Sequence, residues 1–244
     1  MTTDIFEILL LIARPGAGKS EIIQYLNNLN PTERLEKYHI GEMDVLDDFP
    51  MLWAWFEEDK ILTRLGHPRL HTDDGTYFIG NYMWDVLIER ICLEYEKLTR
   101  DTENYHTHRT AILEFSRGVE HGGYKRAFQH LNPDMVKKMA ILSVNVSWEE
   151  SLRKNRIRFN HNKPDSIIEH ALPDIKLERL YRETDWDKLT KSNPEFVRIQ
   201  NIDVPYVVFE NEDDVTSEPG DDLAERLEAA LSQLWDLFNG KESR

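Results

Sequence analysis

The stretch from Ile5 to Leu26, IFEILLLIARPGAGKSEIIQYL, constrains the fold more than any other, because an apolar run, a glycine-bearing loop and a helical repeat follow one another without a gap. Ile5 to Ile12 has the length and unbroken apolar character of a strand buried on both faces, as in a parallel sheet. After Ala13-Arg14-Pro15-Gly16-Ala17-Gly18-Lys19-Ser20, the residues Ile22, Ile23, Leu26 and Leu29 recur at helical spacing, and Pro31 reads as the stop. A strand that feeds a tight loop and then a helix aims backbone N–H groups and the positive end of the helix at one point, which suits phosphate. Gly16 and Gly18 let the backbone curl, Lys19 is placed to reach the outer phosphates, and the Ser20 hydroxyl is placed to ligate Mg²⁺. Arg14 reads either as a solvated loop side chain or as added charge at the mouth. In the pattern G-x-x-x-x-G-K-[ST], Ala13 stands where the first glycine belongs, so the approach to the loop is expected to be shaped differently.

A chain of 244 residues can bury a sizeable core. The formal net charge of −15 argues against general attraction to nucleic acid or to an anionic membrane. Cys92 is the single cysteine and lies among Leu87, Ile88, Ile91 and Tyr95 on an apparent helix, so a buried thiol is expected and a disulfide framework is excluded within one chain. The start MTTDIFE is acidic and its apolar run short, which reads as neither a secretion signal nor a membrane span and predicts a cytoplasmic protein.

Carboxylates recur near expected strand ends. Tyr38 to Met43 (YHIGEM) reads as a second strand ending at Asp44, which would aim Glu42 and Asp44 at the phosphate loop. Either would position a substrate hydroxyl or accept its proton, while Asp44, Asp47 and Asp48 read equally as turn and cap residues before a helix from Pro50 to Lys60. From Pro50 to about Thr99 the pattern is helical, and the loop HPRLHTDDGTYFIGNY between two amphipathic helices reads as a substrate-selecting connection. Metal binding by His67 and His71, or by His106 and His108, would need further ligands that the spacing does not offer. A third strand, Ala111 to Phe115, ends in Glu114-Phe115-Ser116-Arg117-Gly118. Glu114 is a candidate metal-binding carboxylate and Arg117 a candidate clamp for an anionic group, unless the two simply pair.

Ala140 to Val146 reads as a fourth strand, and Ser147-Trp148-Glu149-Glu150 as a capping box that opens a helix. That helix carries Arg153, Lys154, Arg156 and Arg158, with Arg153 and Arg156 on one face, a basic patch suited to charge on a transferring phosphoryl group. Asn162-Lys163-Pro164-Asp165 spells a guanine-reading motif but follows no buried strand, and it reads as coincidence. Asn160 to Asp187 reads as a helical lid segment, Val204 to Phe209 as the fifth strand, and Asp221 to Phe238 as a closing helix.

In this order of elements the chain resembles the P-loop kinases of nucleosides and nucleoside monophosphates, the adenylate-kinase-like group. The resemblance implies one α/β domain over 1–244, a P-loop NTPase three-layer sandwich on a five-stranded parallel sheet of order 2-3-1-4-5. It also implies a helical substrate-binding insertion at about 50–108 and a lid at about 153–190. Glu114-Phe115-Ser116-Arg117-Gly118 would stand where that group carries an Asp-Gly-x-Pro-Arg or Glu-Arg-Ser type signature, and matches neither. Arg153 and Arg156 would be lid arginines, and the loop after Phe209 would lie near an adenine. The implied activity is transfer of a phosphoryl group from ATP, with Mg²⁺, to a small nucleoside-like acceptor. In it Arg14, Pro15, Gly16, Ala17, Gly18, Lys19 and Ser20 hold the donor, Ser20 and Glu114 the metal, and Lys19, Asp44, Glu114, Arg117, Arg153 and Arg156 act in catalysis. Two alternatives stand beside it: a nucleotide-binding regulatory module without turnover, and a sulfotransferase-like enzyme that needs no Mg²⁺.

Overall fold

Every residue of the strand Ile8–Ala13 (β1) is buried. Its side chains divide by alternation between two hydrophobic clusters, Ile8, Leu10 and Ile12 in one and Leu9, Leu11 and Ala13 in the other. A strand can do this only at the centre of a sheet covered on both faces, which explains the unbroken apolar run. The structure is a computed structural model that describes residues 4–158 and 172–240.

Helices α1 (Lys19–Asn28) and α2 (Pro31–Tyr38) follow β1 and lead to β2 (Glu42–Asp47). Next come α3 (Phe49–Arg64), α4 (Tyr82–Asp101), β3 (Arg109–Phe115), α5 (Gly123–Gln129), α6 (Pro133–Lys137) and β4 (Met139–Asn145). The chain then runs through α7 (Trp148–Arg158), α8 (Asp174–Tyr181), α9 (Trp186–Thr190), β5 (Phe196–Ile199), β6 (Ile202–Glu210) and α10 (Asp221–Gly240). Among the described residues these strands form one six-stranded sheet, in the order β2-β3-β1-β4-β6-β5. Ile22 and Leu26 of α1 and Leu223, Leu227, Leu231 and Leu234 of α10 fill one cluster, whereas Ile88, Ile91 and Cys92 of α4 fill the other. Burial pushes the Cys92 thiol up to about 11, so it behaves as a core side chain.

The five-stranded, all-parallel expectation is corrected. An additional strand, β5, pairs antiparallel with β6 at the edge. Gln200 and Asn201, at φ 49° and 69°, make the two-residue turn between them. Neither is glycine and β5 has four residues, so both hairpin signals are weak in the sequence.

Boundaries moved at two functional places. Pro31 starts α2 rather than stopping a helix, with Asn30 accepting the Thr32 N–H at 2.9 Å. Tyr38 closes α2, so the second strand begins at Glu42 and runs on to Asp47 instead of ending at Asp44. The connection after α3 is organised by Asp59, fully buried, which accepts from the N–H groups of Leu70, His71 and Thr72 and from the Thr72 hydroxyl. Burial alone would raise its pKa, but these bonds together hold its carboxyl below the usual range. Of the expected lid at about 153–190, α7, α8 and α9 are described; the Asn162-Lys163-Pro164-Asp165 string lies outside the described residues. Among the described residues no helix is long and apolar enough to cross a membrane.

Candidate active site

β1 ends at Ala13, and the chain turns through Gly16 at φ 75° and Gly18 at φ 107°, conformations closed to ordinary side chains, before α1 begins at Lys19. Gly18 occupies the N-cap without any side-chain bond, so the first-turn N–H groups of α1 are not capped from within. Pro15 to Glu21 line a cavity of about 230 Å³ together with Asp47, Asp48, Glu114, Ser116, Asn155 and Arg158. The cavity sits at the carboxyl ends of β1, β2 and β3, where α/β sheets of this kind bind ligands.

Lys19 is buried, donates to the Ser116 hydroxyl at 2.9 Å and lies 3.7 Å from the Glu114 carboxylate. Ser20 donates to the same Glu114 oxygen at 3.2 Å. Asp47 is the register partner of Glu114 on the neighbouring strand. Burial raises its pKa to about 7, and the facing charges of Glu114 and Asp48 push in the same direction. A Lys, a Ser and two carboxylates from three separate segments therefore meet at one end of the sheet.

The loop is held from outside by a buried polar cluster. Asn211, fully buried beyond β6, donates to Ala17 O and to the Thr216 hydroxyl, both at 2.8 Å. Lys154 donates to the same hydroxyl at 3.3 Å and pairs with Asp214 at 2.5 Å. Ser151 donates to Pro15 O at 2.8 Å, so α7 and the turn after β6 grip the glycine-bearing loop from two sides. Ser147 caps α7 through the Glu150 N–H at 3.1 Å, but Glu212 rather than Glu150 accepts the Ser147 N–H, at 2.6 Å.

Several sequence candidates stand elsewhere. Asp44 is three residues back along β2, about 10 Å below Asp47, where it accepts from the Tyr105 hydroxyl at 2.7 Å and Arg109 at 3.0 Å. Glu42 also pairs with Arg109, so neither carboxylate lines the cavity. Arg117 is 2% exposed and salt-bridged to Asp48 at 2.6 Å, which ties the ends of β2 and β3 beneath the cavity floor. Arg153 is bound to Glu150 and Asp214, and Arg156 to Asp174; of the basic residues on α7, Arg158 is the one on the cavity wall. Arg14 spans the far side of the loop, donating to Val146 O at 3.1 Å and Arg182 O at 3.3 Å. Among the described residues no three His, Cys, Asp or Glu side chains converge as a metal site by themselves.

A second cavity, of about 290 Å³, opens beside the first and shares Phe49, Leu52, Trp84, Leu172 and Tyr181 with it. Trp53, Phe56 and Phe78 add further apolar wall. His121 lines it too, 1% exposed, stacked on Trp84 with 3.7 Å between ring centroids. Burial, aided by the nearby Arg117 cation, lowers the His121 pKa to about 3. Asn211 and His121 carry no local motif; Ser116 lies inside the Glu114–Gly118 string without a role of its own there, and Asp47, the last residue of β2, reads in the sequence as a turn and cap residue and does cap α3 through the Phe49 N–H at 2.9 Å.

No protein-family model matches the chain, and no curated protein matches it. Among solved structures it is similar to TT1252 from Thermus thermophilus, at 17% identity and a TM-score of 0.45, over 96% of this chain and 99% of that one.

Proposed function

We propose that this chain is a phosphotransferase of the P-loop kind, which moves the terminal phosphoryl group of ATP to a hydroxyl of a small, nucleoside-like acceptor with the help of Mg²⁺. One observation carries the reading: Lys19, Ser20, Glu114 and Asp47 line the same cavity, at the mouth of a helix whose first turn is uncapped, beside a second, aromatic cavity. Donor phosphates would take the first-turn N–H groups of α1, and Lys19 would exchange Ser116 for a phosphate oxygen. The residues present fit Mg²⁺, because Ser20 and Glu114 make an all-oxygen, partly charged donor set that already converges. Bound there, Mg²⁺ would neutralise charge on the donor phosphates.

Asp47 serves as the base. With its carboxyl near neutrality it takes the acceptor's hydroxyl proton as the new O–P bond forms and the bond to the ADP leaving group breaks. Asn155 and Arg158 face the same space from α7, the side from which positive charge reaches the group in flight. The alternative of nucleotide binding without turnover is favoured by one feature, the engagement of Arg153 and Arg156 with Asp214 and Asp174 away from the cavity.

ADP release from ATP–Mg²⁺, measured against a panel of nucleosides, nucleotides and small metabolites with Lys19→Ala as the blank, separates these readings. Stimulation by an acceptor supports the kinase. ATP binding that Lys19→Ala removes, with no acceptor that stimulates release, supports the regulatory module. Turnover of a nucleotide sulfate without Mg²⁺ supports the sulfotransferase-like enzyme.

A further inference from the structure

One residue that lines the aromatic cavity, His121, has a polar atom left unmatched among the described residues. His121 Nε2 is buried and has no hydrogen-bond partner among the described residues, while Nδ1 accepts the Gly118 N–H at 3.4 Å. A neutral imidazole that accepts at Nδ1 carries its proton on Nε2, so the orphan is an N–H donor. Neutrality is secured by burial, which holds the ring unprotonated far below neutral pH. A buried donor without a partner costs about 1–3 kcal/mol, which a ligand atom that accepts the bond recovers.

The walls state what kind of ligand that is. Trp84 stacks against His121 at an interplanar angle of 18°, and Tyr181 meets it edge-on at 5.0 Å. Of the charged residues around this cavity, Glu57, Lys60, Glu120 and Arg179 are exposed at its rim, and the half-buried Lys176 is engaged with Thr76 O at 3.1 Å and lies over the Tyr77 ring, so Trp53, Phe56, Phe78 and Trp84 leave an apolar wall beside His121. Arg117 lies over the other partner ring, 5.2 Å from the Trp84 centroid, and disfavours a cation in the cavity. The geometry is fixed by close packing, since a Cβ at Gly118 would come within 1.8 Å of Leu180 O, at the end of α8.

We propose that His121 is the specificity-determining residue of the acceptor site, donating from Nε2 to a carbonyl oxygen or unprotonated ring nitrogen on an uncharged, planar ring held among Trp53, Phe56, Phe78 and Trp84. The ring's substituent then extends past Phe49 and Leu52, shared by both cavities, to bring its hydroxyl to Asp47. This rests on the phosphotransferase reading and adds the chemistry by which the acceptor is chosen: flat heteroaromatic compounds enter, whereas aliphatic alcohols, and rings without an accepting atom, are discriminated against.

The test uses matched probes in binding calorimetry. Uridine, cytidine, adenosine and inosine each present ring acceptors, and β-ribofuranosylbenzene presents the same sugar on a ring with none. At least one nucleoside should bind the wild-type protein about tenfold or more tightly than ribofuranosylbenzene. That ratio should fall to near one in His121→Phe and return in His121→Gln, whose amide N–H stands close to the Nε2 position. The His121 Nε2–H resonance of ¹⁵N-labelled wild-type protein gives a second readout that needs no variant: it should shift on adding the tightest nucleoside and not with ribofuranosylbenzene. Binding of no nucleoside, an unchanged ratio in a folded His121→Phe, or an unmoved resonance overturns the proposal. ATP–Mg²⁺ titration of the same samples separates the two failures: intact ATP binding leaves the phosphate site standing and overturns His121 alone, whereas no ATP binding overturns the reading beneath it.

Discussion

Replacing Asn211 with Ala tests whether the glycine-bearing loop after β1 is held from outside. Asn211 is fully buried, and its amide gives two hydrogen bonds of 2.8 Å, to Ala17 O inside the loop and to the Thr216 hydroxyl, while its carbonyl accepts the Thr216 N–H at 3.3 Å. Truncation strands Ala17 O and the Thr216 N–H in a dry site, each at about 1–3 kcal/mol. The Thr216 hydroxyl keeps Lys154 and so contributes little. The expected destabilisation is about 2–6 kcal/mol, a fall in Tm of roughly 4–24 °C for a chain of this size. Urea unfolding gives the free energy, and ATP–Mg²⁺ calorimetry below the transition gives the coupling to the site. ATP affinity should drop with the stability, because the packing is tight: a Cβ on Gly18 would meet Thr216 Oγ1 at 2.5 Å and Asn211 Nδ2 at 2.6 Å. A loss below about 0.5 kcal/mol, or a full loss of stability with ATP affinity unchanged, refutes the account of the clasp.

The same geometry makes Gly18→Ala doubly unfavourable, through its φ of 107° and that contact, so ATP binding should be abolished by calorimetry while circular dichroism shows a folded protein. Asp47→Asn should lower kcat by about 10²–10⁴ and flatten the rise of kcat/KM with pH through about 7 expected of the wild type. It should also stabilise the nucleotide-free protein at pH 8. The folded pKa of Asp47 is raised, so its charged form is a liability above about 7 that fades as pH falls toward 3.8, and urea unfolding of both proteins across pH should show the gain vanish there. Within Asp47→Asn, stability should fall as pH drops below 6.5, because burial lowers His106 to about 4 and His121 to about 3. The folded state then resists protons that the unfolded chain takes up, so their contribution is complete above 6.5 and is lost toward 4 and 3. A thermal midpoint that stays level from pH 7 to about 4 would contradict this.

Signals in the sequence were strongest where burial is two-sided. β1 and the loop after it were legible because a central parallel strand needs an unbroken apolar run and the turn needs Gly16 and Gly18. β2 lies apart from the stretch that the sequence pattern indicates, for the opposite reason. It is an edge strand with half-exposed residues, Val45 among them at 45%, whereas the apolar Tyr38 and Ile40 next to it belong to the end of α2 and the turn that follows. That shift moved the acid at the end of the strand from Asp44 to Asp47. Arg117 was visible as a charge beside a carboxylate, but its partner, Asp48, is 69 residues away, and sequence spacing favours neighbours such as Glu114. Asn211 meets Ala17 across 194 residues, and His121 is defined by a missing partner; neither leaves a local trace.

The central claim is that Lys19 and the loop around it bind nucleotide phosphate. Titration of ATP–Mg²⁺ into wild-type protein and Lys19→Ala tests it most directly, with circular dichroism confirming the fold of both. Loss of the charged donor should weaken binding by roughly tenfold to a hundredfold. EDTA should weaken wild-type binding as well, since the proposed reading has Ser20 and Glu114, hydrogen-bonded to each other, share a metal with the phosphates. Equal affinity in the two proteins, or no binding to the wild type, would contradict the account.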